Sequence, residues 1–290
     1  ANNSDDGIDL QSKIDMRILN NIIRDNDDDG IEFRLYAYSG PVLTMEIIGN
    51  RITGNGEDGI QLIDYPDVSS RVIRIEHNLF SGNAMASVGC MADGNTVEDY
   101  SGAPTAERVM LINNTFTGEN YGMVGGANVI ALNNIFQGNL ASAMRRVAGN
   151  SIASYTLFWN NGLDYEDTVI DLPNILHANP LLGADGTLTA GSPAINAGTA
   201  FFQWLGETVL DLPPASYSGS APDLGSFEFD LHGPTAVNDT ASVSEGGTVS
   251  VPAPGVLGND IDPDGDPLTV GPPVSGPVHG LLLLNPDGSW

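Results

Sequence analysis

Four aspartates, Asp260, Asp262, Asp264 and Asp266, alternate within seven residues around Gly265. Alternating carboxylates in a tight loop present hard oxygen donors, the type that Ca2+ prefers. The segment lacks the glutamate that completes an EF-hand loop, and Pro263 and Pro267 stiffen it, so Asn238, Asp239 and Glu245 are the expected source of further ligands. The competing reading is an Asp-rich turn whose side chains bond the local backbone. Asp27, Asp28 and Asp29, before Gly30, make a second acidic turn without alternating ligand spacing. A different chemistry is offered by Tyr36 and Tyr65, with Arg34, Asp64, Tyr38 and the Tyr100-containing loop of residues 93–107 as expected neighbours. Rings flanked by a guanidinium and a carboxylate suit the apolar faces and hydroxyls of a sugar chain, although tyrosines also seal loops against a core.

The elements that must position these residues are written in a repeat. Asn, any residue, Ile or Phe, two residues, Asn occurs at Asn21-Ile23-Asn26, Asn50-Ile52-Asn55, Asn78-Phe80-Asn83 and Asn134-Phe136-Asn139. Looser copies stand at Asn114-Phe116, followed by Glu119-Asn120, and at Thr156-Phe158-Asn161. Counting each first position as zero, the copies are 29, 28, 36, 20 and 22 residues apart. Apolar residues alternate with period two inside each copy, as at Met16 and Ile18, Met45 and Ile47, Ile73 and Ile75, which is the signature of strand. After the second Asn a second alternating segment aligns at offsets +10 and +12, as Ile31 and Phe33, Ile60 and Leu62, Val88 and Cys90. Tyr36 and Tyr65 share offset +15, so they are expected on one face, one rung apart.

Strands recurring at this period fit a coil of stacked parallel strands spaced about 4.8 Å apart. Both Asn columns then become ladders in which each amide bonds its copies above and below, satisfying polar groups that would otherwise be costly to bury. Arg17, Glu46 and Arg74 fall at offset −4 as an outward ion column, His77 substitutes at a corner, and Cys90 belongs to the core. The longer spacings place the large loops on the N-terminal rungs.

Composition removes several classes. The chain has 290 residues and a formal charge of −27, which repels phosphate backbones and excludes nucleic acid as an expected partner. No apolar run is long enough to insert in a membrane. One cysteine forms no internal disulfide, and the four histidines show no metal-ligand spacing. Acidic residues are too abundant to single out a glycosidase pair. The first residue is Ala1 and the last is Trp290, so an interior piece of a longer chain is expected.

The repeat over Ile8 to Trp159 resembles the right-handed parallel β-helix family. Asn179-Pro180-Leu181-Leu182, Gly191-Ser192-Pro193-Ala194-Ile195-Asn196-Ala197-Gly198 and Ala221-Pro222-Asp223-Leu224-Gly225-Ser226-Phe227-Glu228 resemble the closing segment of β-helix proteins of bacterial surfaces. From Ala236, the order Val237-Asn238-Asp239, Gly255-Val256-Leu257-Gly258-Asn259-Asp260, then the aspartate loop and Asn285-Pro286-Asp287-Gly288-Ser289-Trp290 is similar to tandem cadherin-like, immunoglobulin-like repeats. The expected fold is therefore all-β: a parallel β-helix over 1–178, its closing segment over 179–231, a linker at 232–235 and a truncated cadherin-like β-sandwich over 236–290. Phe201, Phe202, Trp204, Phe227 and Phe229 are expected to cover the end of the coil, because a solenoid's last rung exposes strand edges.

The resemblance implies an extracellular or cell-surface protein of a bacterium, expected to be monomeric. Its expected function is adhesion or glycan binding on the coil, with a polysaccharide or cell-surface glycan as partner and Ca2+ at the C-terminal module. The alternatives are a polysaccharide lyase and a spacer that binds nothing. Lyases sharing this coil use Arg or Lys as base, often beside Ca2+, and here the resemblance leaves Arg34, Arg145 and Arg146 as weak candidates, with no partner motif.

Overall fold

The computed structural model describes residues 3–11, 13–65, 70–101, 105–229, 233–262, 267–273 and 275–290. The chain divides into two compact units, residues 1–229 and 230–290. The first is a parallel β-helix. Its first sheet stacks Ile8–Gln11, Ile31–Leu35, Ile60–Asp64, Ala86–Met91, Tyr121–Gly126, Ser142–Val147 and Tyr165–Glu166, all parallel. The second stacks six strands, from Met16–Leu19 to Ile152–Ser154, and the third seven, from Ile22–Arg24 to Ile175–His177. The expected register holds residue for residue: Ile31 pairs with Ile60 and Ile60 with Val88, while Phe33 pairs with Leu62 and Leu62 with Cys90. The coil also runs one turn beyond the last copy of the Asn repeat, through an Ala153–Ile170 bridge and Ile175–His177.

Two corners of each rung need backbone in the left-handed region. At offset −1, Asn20, Gly49, His77, Asn113, Asn133 and Tyr155 all have φ between 45° and 68°. Asn and Gly tolerate that conformation best, which is why they recur there. The Asn columns lie just after these corners. Asn50 donates from Nδ2 to Asn78 Oδ1 at 3.0 Å, Asn78 to Asn114 at 3.1 Å, and Asn114 to Asn134 at 3.2 Å. In the second column Asn26 donates to Asn55 and Asn55 to Asn83, each at 2.8 Å. Between the columns, the inward rings of Phe80, Phe116, Phe136 and Phe158 stack with centroids 5.0, 4.4 and 5.5 Å apart. One set of stacked positions thus supplies polar corners and the other an aromatic spine.

The second column has one interruption. Glu119 stands at its fourth place and accepts from Asn83 Nδ2 at 3.3 Å. An asparagine there would donate onward to Asn139, yet among the described residues Asn139 Oδ1 is buried without a hydrogen-bond partner. Burial pushes the Glu119 carboxyl up to about 8, so it is protonated at neutral pH and has an O–H to offer.

Residues 179–229 do not cover the end of the coil as their resemblance implied. They run along its side: Arg51 Nη1 donates to Asp185 O, Ser226 N to Thr115 Oγ1, Thr199 N to Asn133 Oδ1, and Trp204 Nε1 to Asn150 O. The reason is in the rungs. Met110, Ile112, Ile130 and Leu132 point out of the second sheet, and Phe202, Trp204, Val209 and Leu212 pack against that apolar flank. Phe201 stays 52% exposed. In the second unit, antiparallel contacts join Thr235 to Ile261 and Val251 to Trp290.

Two outcomes are expected. Asn78→Ala removes the side-chain acceptor of the buried Asn50 amide N–H and one Asn50 Nδ2 bond, and the donor to Ile47 O, while Asn114 Oδ1 keeps the residue-78 amide, lowering the unfolding free energy by about 3 kcal/mol in urea denaturation. Glu119→Gln restores a neutral donor. The folded glutamate keeps a proton that the unfolded chain releases above about pH 4, so wild-type stability falls towards pH 8. The variant is expected to be more stable by about 2 kcal/mol at pH 8, with the gain fading towards pH 4.

Candidate functional site

The N-terminal rungs carry two adjoining features on the outer face of the first sheet. The first is built at the turn leading into that sheet, where Asp6-Gly7, Asp29-Gly30 and Asp58-Gly59 stack as a column. Asp29 N donates to Asp6 Oδ1 at 3.1 Å, Asp58 N to Asp29 Oδ1 at 2.7 Å, and Ala86 N to Asp58 Oδ1 at 2.8 Å. The glycines let adjacent rungs close up, since a Cβ on Gly30 would meet Gly59 O at 2.5 Å. Strand register adds the outward residues Asp9, Glu32 and Gln61 in one line. The loop 92–101 folds over them, with Tyr100 donating its hydroxyl to Asp58 Oδ1 at 2.5 Å.

These elements enclose a cleft of about 220 Å3 lined by Asp5, Asp6, Asp9, Asp28, Asp29, Glu32, Glu57 and Glu98, with Arg34, Gln61 and Thr96. Eight carboxyls face one guanidinium. Burial, then the neighbouring Asp58, pushes Asp29 up to about 9, and burial takes Asp58 itself up to about 8. Glu57 rises to about 7 through burial and Glu98, and Glu32 to about 7 through burial, which the Arg34 charge only partly offsets.

The second feature is the tyrosine pair. Tyr36 and Tyr65 follow the strands Ile31–Leu35 and Ile60–Asp64, and their rings stack with centroids 4.6 Å apart at 29°. Arg34 joins both features: Nη2 lies 2.7 Å from Glu32 Oε1, and its guanidinium hydrogen-bonds Tyr65. Lys13 Nζ lies 6.0 Å from the Tyr36 ring centroid. Tyr65 closes against Gly94, where a Cβ would be 2.8 Å from its ring.

The remaining residues singled out by sequence are dispersed. Asp64 accepts the amides of Tyr65 and Ala106 at 2.8 and 3.3 Å, so it ties down the loop. Arg145 pairs with Glu166 at 2.9 Å and lies over the Tyr121 ring, and Arg146 donates to Tyr100 O. Arg145 is four rungs from Arg34's strand, about 19 Å. Asp260 Oδ1 accepts the Val237 amide at 2.7 Å, while Asp264 and Asp266 lie outside the described residues. Arg71, also basic and unassigned by sequence, is buried, 3.6 Å from Glu107, and donates to Tyr36 O. Sequence reasoning marks Asp29 as part of an acidic turn but misses that it belongs to a column. Its signal is an Asp at offset +8 before each aligned Gly, in Asp29 and Asp58, with Asp6 one rung earlier.

The cleft predicts an inverted acid profile. Its carboxyls hold protons in the folded state that the unfolded chain has released above about pH 4, so the unfolded state binds fewer protons and stability falls as pH rises. With divalent cations chelated, the melting temperature is expected to fall from pH 5 to pH 9, and a rise over that range would contradict the raised carboxyls.

Compared with known proteins, residues 232–290 match the family model described as bacterial Ig domain. No curated protein and no solved structure matches the chain.

Proposed function

We propose that the chain belongs to a bacterial surface protein and that its β-helix is an extracellular scaffold holding a glycan on the outer face of the first sheet. The match of residues 232–290 to the bacterial Ig domain supports surface placement. The observation that carries the glycan reading is the stacked, half-buried pair Tyr36 and Tyr65 with Arg34 between it and the cleft. Half-buried rings keep apolar surface for a sugar, and the hydroxyls and guanidinium supply directional bonds. A β-elimination needs a base that gives up its proton readily. Burial alone would lower Arg34, but Glu32, Tyr65 and Asp9 hold it above its ordinary value, so it stays charged. Arg145 is engaged in an ion pair with Glu166, and Arg146 in a hydrogen bond to Tyr100 O. Binding is therefore favoured over cleavage.

The test is retention on a panel of neutral and acidic polysaccharides, with ultraviolet absorbance from unsaturated ends followed in the same tubes. Wild type is expected to be retained with flat absorbance, and a Tyr36→Ala/Tyr65→Ala double variant to bind at least about tenfold more weakly, or about 1.4 kcal/mol. Rising absorbance would establish a lyase instead. Absence of retention would leave a spacer, and equal retention of the double variant would place any glycan elsewhere.

A further inference from the structure

We propose that the cleft over the N-terminal rungs is a divalent-cation site, suited to Ca2+, in which the ion ties the loop 92–101 to two successive turns of the coil. This is separate from the glycan reading and from the aspartate loop of the second unit.

Three carboxylates converge from three segments of chain. Asp29 comes from one turn, Glu57 from the next and Glu98 from the overlying loop, and each offers an oxygen within 4.8 Å of the others. No described basic side chain lines the cleft except Arg34, whose guanidinium faces Glu32. The second observation is a neutral donor. Gln61 lines the same cleft, is 1% exposed, and its Oε1 is buried without a hydrogen-bond partner. Its Nε2 donates to Glu98 Oε1, which fixes the other end of the amide as oxygen. A buried amide oxygen beside three carboxylates needs a positive partner, and a second hydrogen-bond donor is not provided by the described residues.

The donor chemistry selects the ion. All four groups are hard oxygens, three from carboxyls and one from an amide, and no described His or Cys lines the cleft. Thiolate and imidazole metals are therefore poorly served. Ca2+ accepts six to eight oxygens in flexible geometry, and about 220 Å3 leaves room for water to complete the shell. Mg2+ demands a near-ideal octahedron that donors from three separate segments are less suited to supply. The ion's effect follows from where Glu98 sits. The loop 92–101 is held to the coil by Tyr100 on Asp58 and by Gln61 on Glu98, and a cation shared with Asp29 and Glu57 adds a bond across two rungs.

The experiment uses the full chain, stripped with chelator and titrated with Ca2+ by calorimetry. Asp29→Asn, Glu98→Gln and Gln61→Leu are compared with Asp260→Asn/Asp262→Asn. Asn at position 29 can still accept the Asp58 amide, so that variant keeps the column, and circular dichroism verifies the fold of each. Wild type is expected to bind Ca2+ at a site weakened at least tenfold by Asp29→Asn and by Glu98→Gln, weakened by Gln61→Leu, and unchanged by the Asp260/Asp262 variant. A glutamate-specific protease is expected to cut after Glu98 more slowly when Ca2+ is present. Calcium binding that is unaltered in folded cleft variants, or lost only in the Asp260/Asp262 variant, would overturn the proposal, as would no binding at all.

Discussion

Stacking parallel strands at about 4.8 Å gives every side chain a counterpart directly above and below, and that constraint governs what each column can hold. Amides satisfy it, because each is donor and acceptor at once, so Asn50, Asn78, Asn114 and Asn134 form a continuous chain with no group left over between them. Rings satisfy it through offset stacking, as from Phe80 to Phe158. Ionised carboxylates do not. A column of them is a column of like charges in a partly buried place.

The outer face of the first sheet shows how the chain treats that case. Asp6, Asp29 and Asp58 each use one oxygen to receive the amide of the next rung, which explains why a short side chain with an acceptor oxygen occupies the corner. The cost appears as carboxyls pushed well above their ordinary range. Asp58 is covered by Tyr100, while Asp29 faces the cleft with Glu57 and Glu98. Structural corner and candidate site are thus one set of residues.

Much of the coil was legible because its columns repeat with fixed offsets. Ile31, Ile60 and Val88 pair as their alignment required, and the Asn columns bond as ladders. The stacking of Tyr36 on Tyr65 was also visible, since both stand at one offset. Three features escaped. Glu119 stands in a looser copy of the repeat, and spacing alone does not report that it breaks the amide ladder before Asn139. The aspartate column escaped because Asp27, Asp28 and Asp29 stand out as one local acidic turn, whereas only Asp29 has counterparts, Asp6 and Asp58, on the adjoining rungs. The path of residues 179–229 depends on the outward residues Met110, Ile112, Ile130 and Leu132, and period two reports alternation without saying that both faces are apolar.

A coil held only by contacts between adjacent rungs would open one turn at a time from either end, since its stability is a sum of nearest-neighbour terms. The flanking segment breaks that rule. It is bonded to Arg51, Thr115, Asn133 and Asn150, which stand on four different turns. Fraying of the C-terminal turns then also disturbs contacts reaching back towards the N-terminal ones. The strap turns a one-dimensional stack into a unit that unfolds more nearly as a whole, which protects the loop-bearing turns without adding anything to their own cores.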